Sequence, residues 1–235
     1  MIEVHNLEKR FGIKPVLKGL NFQASSGEFV AILGPNGAGK TTFLRILASL
    51  SRPSSGKIRI SGYPIPAQAG VVRSLIGVVT HQPLLYGDLS AEENLFFYGR
   101  MYDVAKLENR VCEVLQLVGL YNRRHDLVRT YSRGMQQRLT IGRAILHKPV
   151  VMLFDEPYTG LDQDAVIMLD GILRDIVASG HTVVMTSHDL SRAVELASRI
   201  DVLSRGLIAA SVHKQDITQD RLISFYRQAV AETNP

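Results

Sequence analysis

Residues Gly34-Pro35-Asn36-Gly37-Ala38-Gly39-Lys40-Thr41 follow the spacing G-x-x-x-x-G-K-[ST], between an apolar run at Phe29 to Leu33 and a second apolar series at Phe43, Leu44, Ile46, Leu47 and Leu50. The continuous run predicts a buried strand, and the helical recurrence predicts a helix over Thr42 to Leu50, before Pro53. A strand, a glycine-rich loop and a helix in that order curl successive backbone N–H groups around a helix N-terminus, where negative charge is stabilised. Phosphate is therefore the expected ligand of Gly34 to Thr42. Lys40 is placed to reach β and γ phosphates, and Thr41 offers a hydroxyl to Mg²⁺, which takes hard oxygen ligands and keeps several waters. A chance glycine-rich turn would lack the flanking strand and helix.

A second apolar run, Val150-Val151-Met152-Leu153-Phe154, ends in Asp155 and Glu156. A buried strand of this kind delivers carboxylates to the end of a sheet, beside the phosphate loop. The two acids divide the work. Asp155 is expected to hold Mg²⁺ through its waters, and Glu156, pointing to the other side, to polarise an attacking water as general base. Two acids at a strand end are common in isolation; behind a matched phosphate loop they point to hydrolysis of a nucleoside triphosphate with Mg²⁺.

The rest of the pattern sets the fold class as α/β, a P-loop NTPase with a mainly parallel core sheet, an N-terminal antiparallel β subdomain and a helical subdomain. Apolar positions Ile2, Val4, Val16, Leu20 and Phe22 alternate on either side of a turn at Gly12, which predicts short antiparallel strands. After a strand at Leu75 to Thr80, the capping-box pattern Ser90-Ala91-Glu92-Glu93 opens a helical region that runs to His147. Strand Val150 to Phe154, helix Ala165 to Ala178, strand Thr182 to Thr186, helix Ser191 to Ala197 and strand Ile200 to Leu203 then alternate, as parallel strands with crossover helices do. The tail from Asp216 to Pro235 reads as one short helix. The expectation is a single domain over 1–235, with the helical subdomain, about 84–147, inserted in the core.

The net charge of +5 and the pI near 9.4 admit an anionic partner. The arginines at 123, 124, 129, 133, 138 and 143, however, are scattered among apolar helical positions without the aromatic interleaving of a single-strand binder, so nucleic acid is not expected. Cys112 is the only cysteine, which excludes an intrachain disulfide or a cysteine metal cluster; a buried thiol and a reducing setting are expected. No stretch approaches the roughly 18 apolar residues of a membrane span, and Met1 opens into a strand-like segment without a signal-peptide pattern. A membrane role would then come through a partner.

Taken together, these parts resemble the ABC ATPase family over nearly the whole chain. Gln82 matches the Q-loop glutamine, which senses Mg²⁺ and the attacking water. His188, in Thr186-Ser187-His188-Asp189, resembles the switch histidine that contacts the γ phosphate, and Gly160-Leu161-Asp162 matches the D-loop at the dimer interface. Phe11 resembles the aromatic that stacks on adenine, with a place in the core of the small lobe as the alternative. Tyr131-Ser132-Arg133-Gly134-Met135 stands where the family has LSGGQ. Ser132 and Gly134 retain the hydroxyl and backbone N–H that bind a γ phosphate, and Arg133 reads as a solvated charge. The resemblance implies that a second copy, or a homologous subunit, closes over two ATP molecules. It also implies an integral membrane permease as partner, docking at Leu84 to Leu89 and the helical lobe, and a peripheral place on the cytoplasmic face of the inner or plasma membrane.

Two stretches, His81 to Leu95 and Tyr131 to Leu139, resemble the CcmA family, the ATP-binding subunits of bacterial cytochrome c maturation, with Ser132-Arg133-Gly134-Met135 as the sharper clue. That implies CcmB-like and CcmC-like membrane partners, and hydrolysis that drives release of a haem-loaded chaperone. No Cys-His haem motif is present in the chain. The alternative is the ATPase of a drug, lipid or polysaccharide exporter, whose signatures also vary toward Ser-basic-Gly-Met. A soluble family member acting on ribosomes or DNA would usually carry tandem cassettes or a long coiled-coil insertion, and a GTPase would carry Asn-Lys-x-Asp; the chain has none of these.

Overall fold

The computed structural model describes residues 1–80 and 82–232. His81 and the last three residues of the expected tail helix lie outside the described residues. Strands β1 (Ile2–Phe11) and β2 (Lys14–Ala24) form an antiparallel hairpin turning at Gly12, whose φ of +58° suits glycine. Both are longer than the short strands expected. Strand β3 (Phe29–Leu33) leads through the glycine-rich loop into helix α1 (Lys40–Leu47). The helix starts two residues before the expected Thr42 because the chain turns at Gly39, at φ +111°. It stops three residues before Leu50 because Ser49 takes φ +56° and the N–H groups of Leu50 and Ser51 fold back on the Arg45 carbonyl.

Strands β4 (Ser55–Ile60) and β5 (Tyr63–Ile65) join the N-terminal hairpin in the order β2-β1-β4-β5, all antiparallel. Helix α2 (Ala69–Leu75) and strand β6 (Ile76–Val79) follow. The helical region contains α3 (Ala91–Met101), α4 (Leu107–Leu117) and α5 (Arg133–Ile145). The expected capping box closes α3: the Ser90 hydroxyl accepts from the Glu93 N–H at 3.2 Å, and the Glu93 carboxylate accepts from the Ser90 N–H at 2.7 Å. Cys112 on α4 is half-buried rather than buried.

Strand β7 (Val151–Asp155), helix α6 (Gln163–Ala178), strand β8 (Thr182–Ser187), helix α7 (Leu190–Leu196) and strand β9 (Arg199–Ser204) complete the alternating half, each within a few residues of expectation. Strand β10 (Leu207–His213) and helix α8 (Gln219–Glu232) end the described chain. The second sheet runs β10-β9-β3-β8-β7-β6, parallel throughout except for β10, which pairs antiparallel with β9 at the edge.

This parallel sheet is covered on both faces, so its strands are continuously apolar and alternate between two cores. Val30, Ile32, Val151, Leu153 and Val184 face the core shared with α1 and the antiparallel sheet, while Ala31, Leu33, Met152, Phe154, Val183 and Met185 face the core built with the helical region, α6 and α7. Phe43 of α1 is fully buried and meets Phe22 edge to face, ring centres 5.2 Å apart, an arrangement worth about 0.5–1.5 kcal/mol beyond its buried area. That contact holds the start of α1, and with it the glycine-rich loop, against the N-terminal sheet.

Candidate active site

The C-terminal ends of β3, β7 and β8 lie side by side and bring the chemistry-bearing residues together. At the end of β3, the backbone of Gly34 runs so close to the Leu203 carbonyl that a Cβ would collide with it. Gly37 and Gly39 both take positive φ, and a Cβ at Gly39 would lie 2.8 Å from the Leu17 side chain. The glycines of the motif are thus required by backbone geometry as well as by room for a ligand. Gly39 precedes the first turn of α1, whose N–H groups have no partners within the helix and face the mouth of the loop. Lys40 is 5 % exposed and lies back across its own loop, donating to the carbonyl of Gly34 at 2.8 Å and of Pro35 at 3.4 Å.

Asp155 is the last residue of β7 and shares the face of Val151 and Leu153, the face that packs against α1. It therefore meets Thr41, whose hydroxyl donates to Asp155 Oδ1 at 3.1 Å. A neighbour that the sequence reading did not assign secures it. Thr186, opposite Asp155 in the β7–β8 register, donates its hydroxyl to the same Oδ1 at 2.7 Å. Among the described residues no group of three or more His, Cys, Asp or Glu side chains is placed to hold a metal by itself. One hydroxyl and one carboxylate beside a phosphate loop nevertheless form the kind of donor set Mg²⁺ uses, with waters and phosphate oxygens completing its shell.

At Glu156 the chain leaves the strand with φ +49°, a left-handed conformation that costs a residue with a side chain on the order of 1–3 kcal/mol. Its N–H donates to the Thr186 carbonyl and hydroxyl, both at 3.1 Å, which holds the turn. The Glu156 carboxylate is thereby set apart from Asp155, with one oxygen 3.6 Å from Lys40 Nζ and the other 3.2 Å from His188 Nδ1. His188 follows β8 directly.

The remaining expected site residues stand further off. Gln82 is exposed, and its carbonyl accepts from the Thr80 hydroxyl at 2.7 Å. Its neighbour Pro83 lines a cavity of about 280 Å³ with Thr80, Arg133 and Glu156. Ser132 caps α5, its hydroxyl accepting from the Met135 N–H at 3.3 Å, and Gly134 is buried against Ala165, where a Cβ would come within 3.0 Å. Phe11 is 56 % exposed beside Lys9, so it is not part of the core of the small lobe. Arg133 is exposed, as expected of a solvated charge, and its guanidinium lies over Gly160 so closely that a Cβ there would collide with it. Leu84, Tyr86 and Asp88 of the expected docking segment are all exposed.

Sequence reading also missed a group behind these loops, in which the half-buried Tyr158 and Arg192 close on the buried Asp170. Its one sequence signal is an acid, Asp170, beside Leu169 on the buried face of α6.

A glycine-rich phosphate loop between β3 and α1, with acids at the end of β7, one strand removed from β3 across β8, defines a P-loop nucleotide hydrolase. The family model for ABC transporters matches residues 17–159. The linearmycin resistance ATP-binding protein LnrL of Bacillus subtilis is 36 % identical over 219 residues, covering 92 % of this chain and 70 % of its own length. The Nod factor export ATP-binding protein I of Paraburkholderia xenovorans is 39 % identical over 207 residues, covering 87 % and 68 %. Among solved structures, the ATP-binding subunit of an ABC transporter superposes with a TM-score of 0.85 at 28 % identity, over 99 % of this chain and 96 % of that one. A dimeric ATP-binding cassette in a post-hydrolysis state, bound to ADP and Pi, superposes with a TM-score of 0.83 at 28 % identity, over 92 % of this chain and all of that one. The chain belongs to the ABC transporter family, as an ATP-binding subunit that hydrolyses ATP. Among the described residues no helix is long and apolar enough to cross a membrane.

Proposed function

We propose that the chain hydrolyses ATP in pairs to drive a membrane-embedded exporter. The observation that carries the hydrolytic assignment is the placement of Glu156, whose carboxylate faces Lys40 on one side and His188 on the other, one residue from the Thr41–Asp155 pair. The N–H groups of the loop and Lys40 bind the phosphates of ATP, and Phe11 stacks on its adenine. Thr41 and Asp155 would hold Mg²⁺, with Gln82 as a further donor, and the ion would supply positive charge to the phosphates of the nucleotide. Glu156 accepts the proton of the attacking water as its oxygen bonds to the γ phosphorus and the bond to the bridging oxygen of ADP breaks. His188, oriented by Glu156 through Nδ1, presents its other ring nitrogen to the γ phosphate.

Ser132 already caps its own helix, and none of its hydrogen bonds or those of Gly134 reach the loop of Gly34 to Thr42. In this reading they serve a nucleotide held by the second copy, and pairing depends on the γ phosphate. The dimeric state of the cassette bound to ADP and Pi supports the pairing of two copies, and the dependence on the γ phosphate rests on the family resemblance. The export and resistance names of the two relatives favour an exporter as the permease. The cytochrome c maturation reading rests on the resemblance of His81 to Leu95 and Tyr131 to Leu139, chiefly Ser132-Arg133-Gly134-Met135, and ranks behind it. Leu84 to Leu89 and the helical region form the docking face, and the chain sits on the cytoplasmic side of the membrane. Isolation of the chain from native membranes tests this. An export permease should co-purify with it; CcmB-like and CcmC-like partners would restore the cytochrome reading, and ribosomal or DNA partners would contradict transport.

A further inference from the structure

Behind the loops that carry Glu156 and His188 lies the buried carboxylate of Asp170, on α6 and only 7 % exposed. One of its oxygens accepts from the Tyr158 hydroxyl at 2.6 Å, and the other accepts from Arg192 Nη1 at 2.5 Å. The Arg192 guanidinium also lies over the Tyr158 ring, 5.0 Å from its centre, so the three side chains close on one another. Tyr158 is two residues beyond Glu156. Arg192 is in the first turn of α7, where its N–H donates to Asp189, the helix cap and the residue after His188, at 3.2 Å. Its Nε lies 3.7 Å from the same carboxylate.

We infer that Asp170 is a positioning residue: it ties the loop after β7 to the loop after β8 through Tyr158 and Arg192, and so sets the separation of Glu156 and His188. This rests on the hydrolytic reading above. The chemistry suits the task. A buried carboxylate is stable only when its oxygens are hydrogen-bonded and its charge is paired, and here one donor comes from the loop after β7 and the other from the first turn of α7, whose cap Asp189 ends the loop after β8. Neither loop can shift without stripping a partner from a buried charge, a change that costs more than the hydrogen bond itself contributes. Burial, together with the bond to Asp170, raises the Tyr158 hydroxyl well above its ordinary range, so it remains a proton donor at every working pH. A cavity of about 240 Å³ is lined by Glu156 and His188 together with Tyr158 and Arg192, so both donors of the clamp border the same space as the two reacting side chains.

The network touches no residue of the phosphate loop, so it should govern turnover and not nucleotide affinity. The test measures kcat, KM for ATP and equilibrium ATP binding for the full chain in its membrane complex, with Tyr158→Phe, Arg192→Ala, Arg192→Lys, Tyr158→Phe/Arg192→Ala and Glu156→Gln. Misplacing a reacting group by a fraction of an ångström costs about tenfold or more, so Tyr158→Phe and Arg192→Ala should each lower kcat by about tenfold. ATP affinity should stay within about twofold, the double variant should be no worse than about the worse single one, and Arg192→Lys should recover most of the loss. Tyr158→Phe removes only a hydroxyl, and retained ATP binding reports that each variant is folded. Unchanged kcat in Tyr158→Phe and Arg192→Ala, with Glu156→Gln inactive, would overturn the positioning role alone. A parallel fall in kcat and ATP affinity would reduce the network to a structural one. Retained turnover in Glu156→Gln would instead overturn the general-base role of Glu156 on which the inference rests.

Discussion

His188 Nδ1 lies 3.2 Å from a Glu156 carboxylate oxygen, and the two residues come from the ends of adjacent parallel strands. The contact depends on the left-handed turn at Glu156, since an extended residue there would continue the line of β7. It places a base and a hydrogen-bonding imidazole at one point beside the Lys40 ammonium, 3.6 Å from the other carboxylate oxygen.

His188→Ala should therefore lower kcat for ATP by about ten- to a hundredfold through loss of orientation at the reacting centre, with ATP affinity little changed. Steady-state turnover paired with equilibrium nucleotide binding checks this. A variant as fast as the parent would show that the imidazole does not take part.

Gly39 combines φ +111° with a site where a Cβ would lie 2.8 Å from Leu17, whereas at Gly12 the φ is +58° and a Cβ would meet nothing within 4 Å. Gly39→Ala should destabilise the chain by roughly 1–3 kcal/mol and abolish ATP binding, because the loop must shift to relieve the clash. Gly12→Ala should leave ATP binding intact. Chemical denaturation with nucleotide titration separates the two, and equal behaviour would contradict the account of the loop.

How much of this was legible in the sequence depends on whether the determinants are local. The β3–loop–α1 unit and β7 are legible because buried parallel strands are unbroken apolar runs and the motif residues are contiguous. Strands β4 and β10 are not, since β4 buries only Ile58 and Ile60 and no residue of edge strand β10 is fully buried. Parity along β1 could not place Phe11, because register shifts interrupt its pairing, one of them between Lys9 and Arg10. Asp155 follows from the alternation of β7, but Thr186 beside it requires the register with β8. The Tyr158–Asp170–Arg192 network joins residues 12 and 22 positions apart through the packing of α6 and α7, which no single-segment period encodes.

Exposure makes Phe11 available for stacking. Base–aromatic stacking contributes about 1–3 kcal/mol, and at an exposed ring the lower end applies, so Phe11→Ala should weaken ATP binding by about fivefold. Phe11→Tyr should bind normally, and tripolyphosphate, which has no base, should bind both variants and parent alike. Calorimetric titration decides the matter; equal ATP affinity in Phe11→Ala would remove Phe11 from the site.

The His147 ring stacks on Tyr102 at 4.0 Å and its Nε2–H donates to the Ile76 carbonyl at 3.0 Å. Burial holds this imidazole below its ordinary 6.5; the Ile76 bond opposes the shift, and the charges of Arg143 and Arg110 reinforce it. Below pH 6.5 the unfolded chain binds a proton that the folded chain refuses, so the stabilisation is whole above that value and declines as pH falls through the depressed folded value. The stability of the parent relative to His147→Phe should thus be greatest at about pH 8 and shrink toward about pH 5 in denaturant titrations. A difference independent of pH would contradict the assignment.

The central claim is that this chain works as an ATP-dependent pair, and the most direct measurement is the mass of Glu156→Gln protein in solution with and without ATP and Mg²⁺. Slowed hydrolysis keeps the γ phosphate in place. The account predicts a monomer without nucleotide, a species of twice that mass with ATP, and a monomer again with ADP. A monomer in all three conditions, with ATP demonstrably bound, would contradict it.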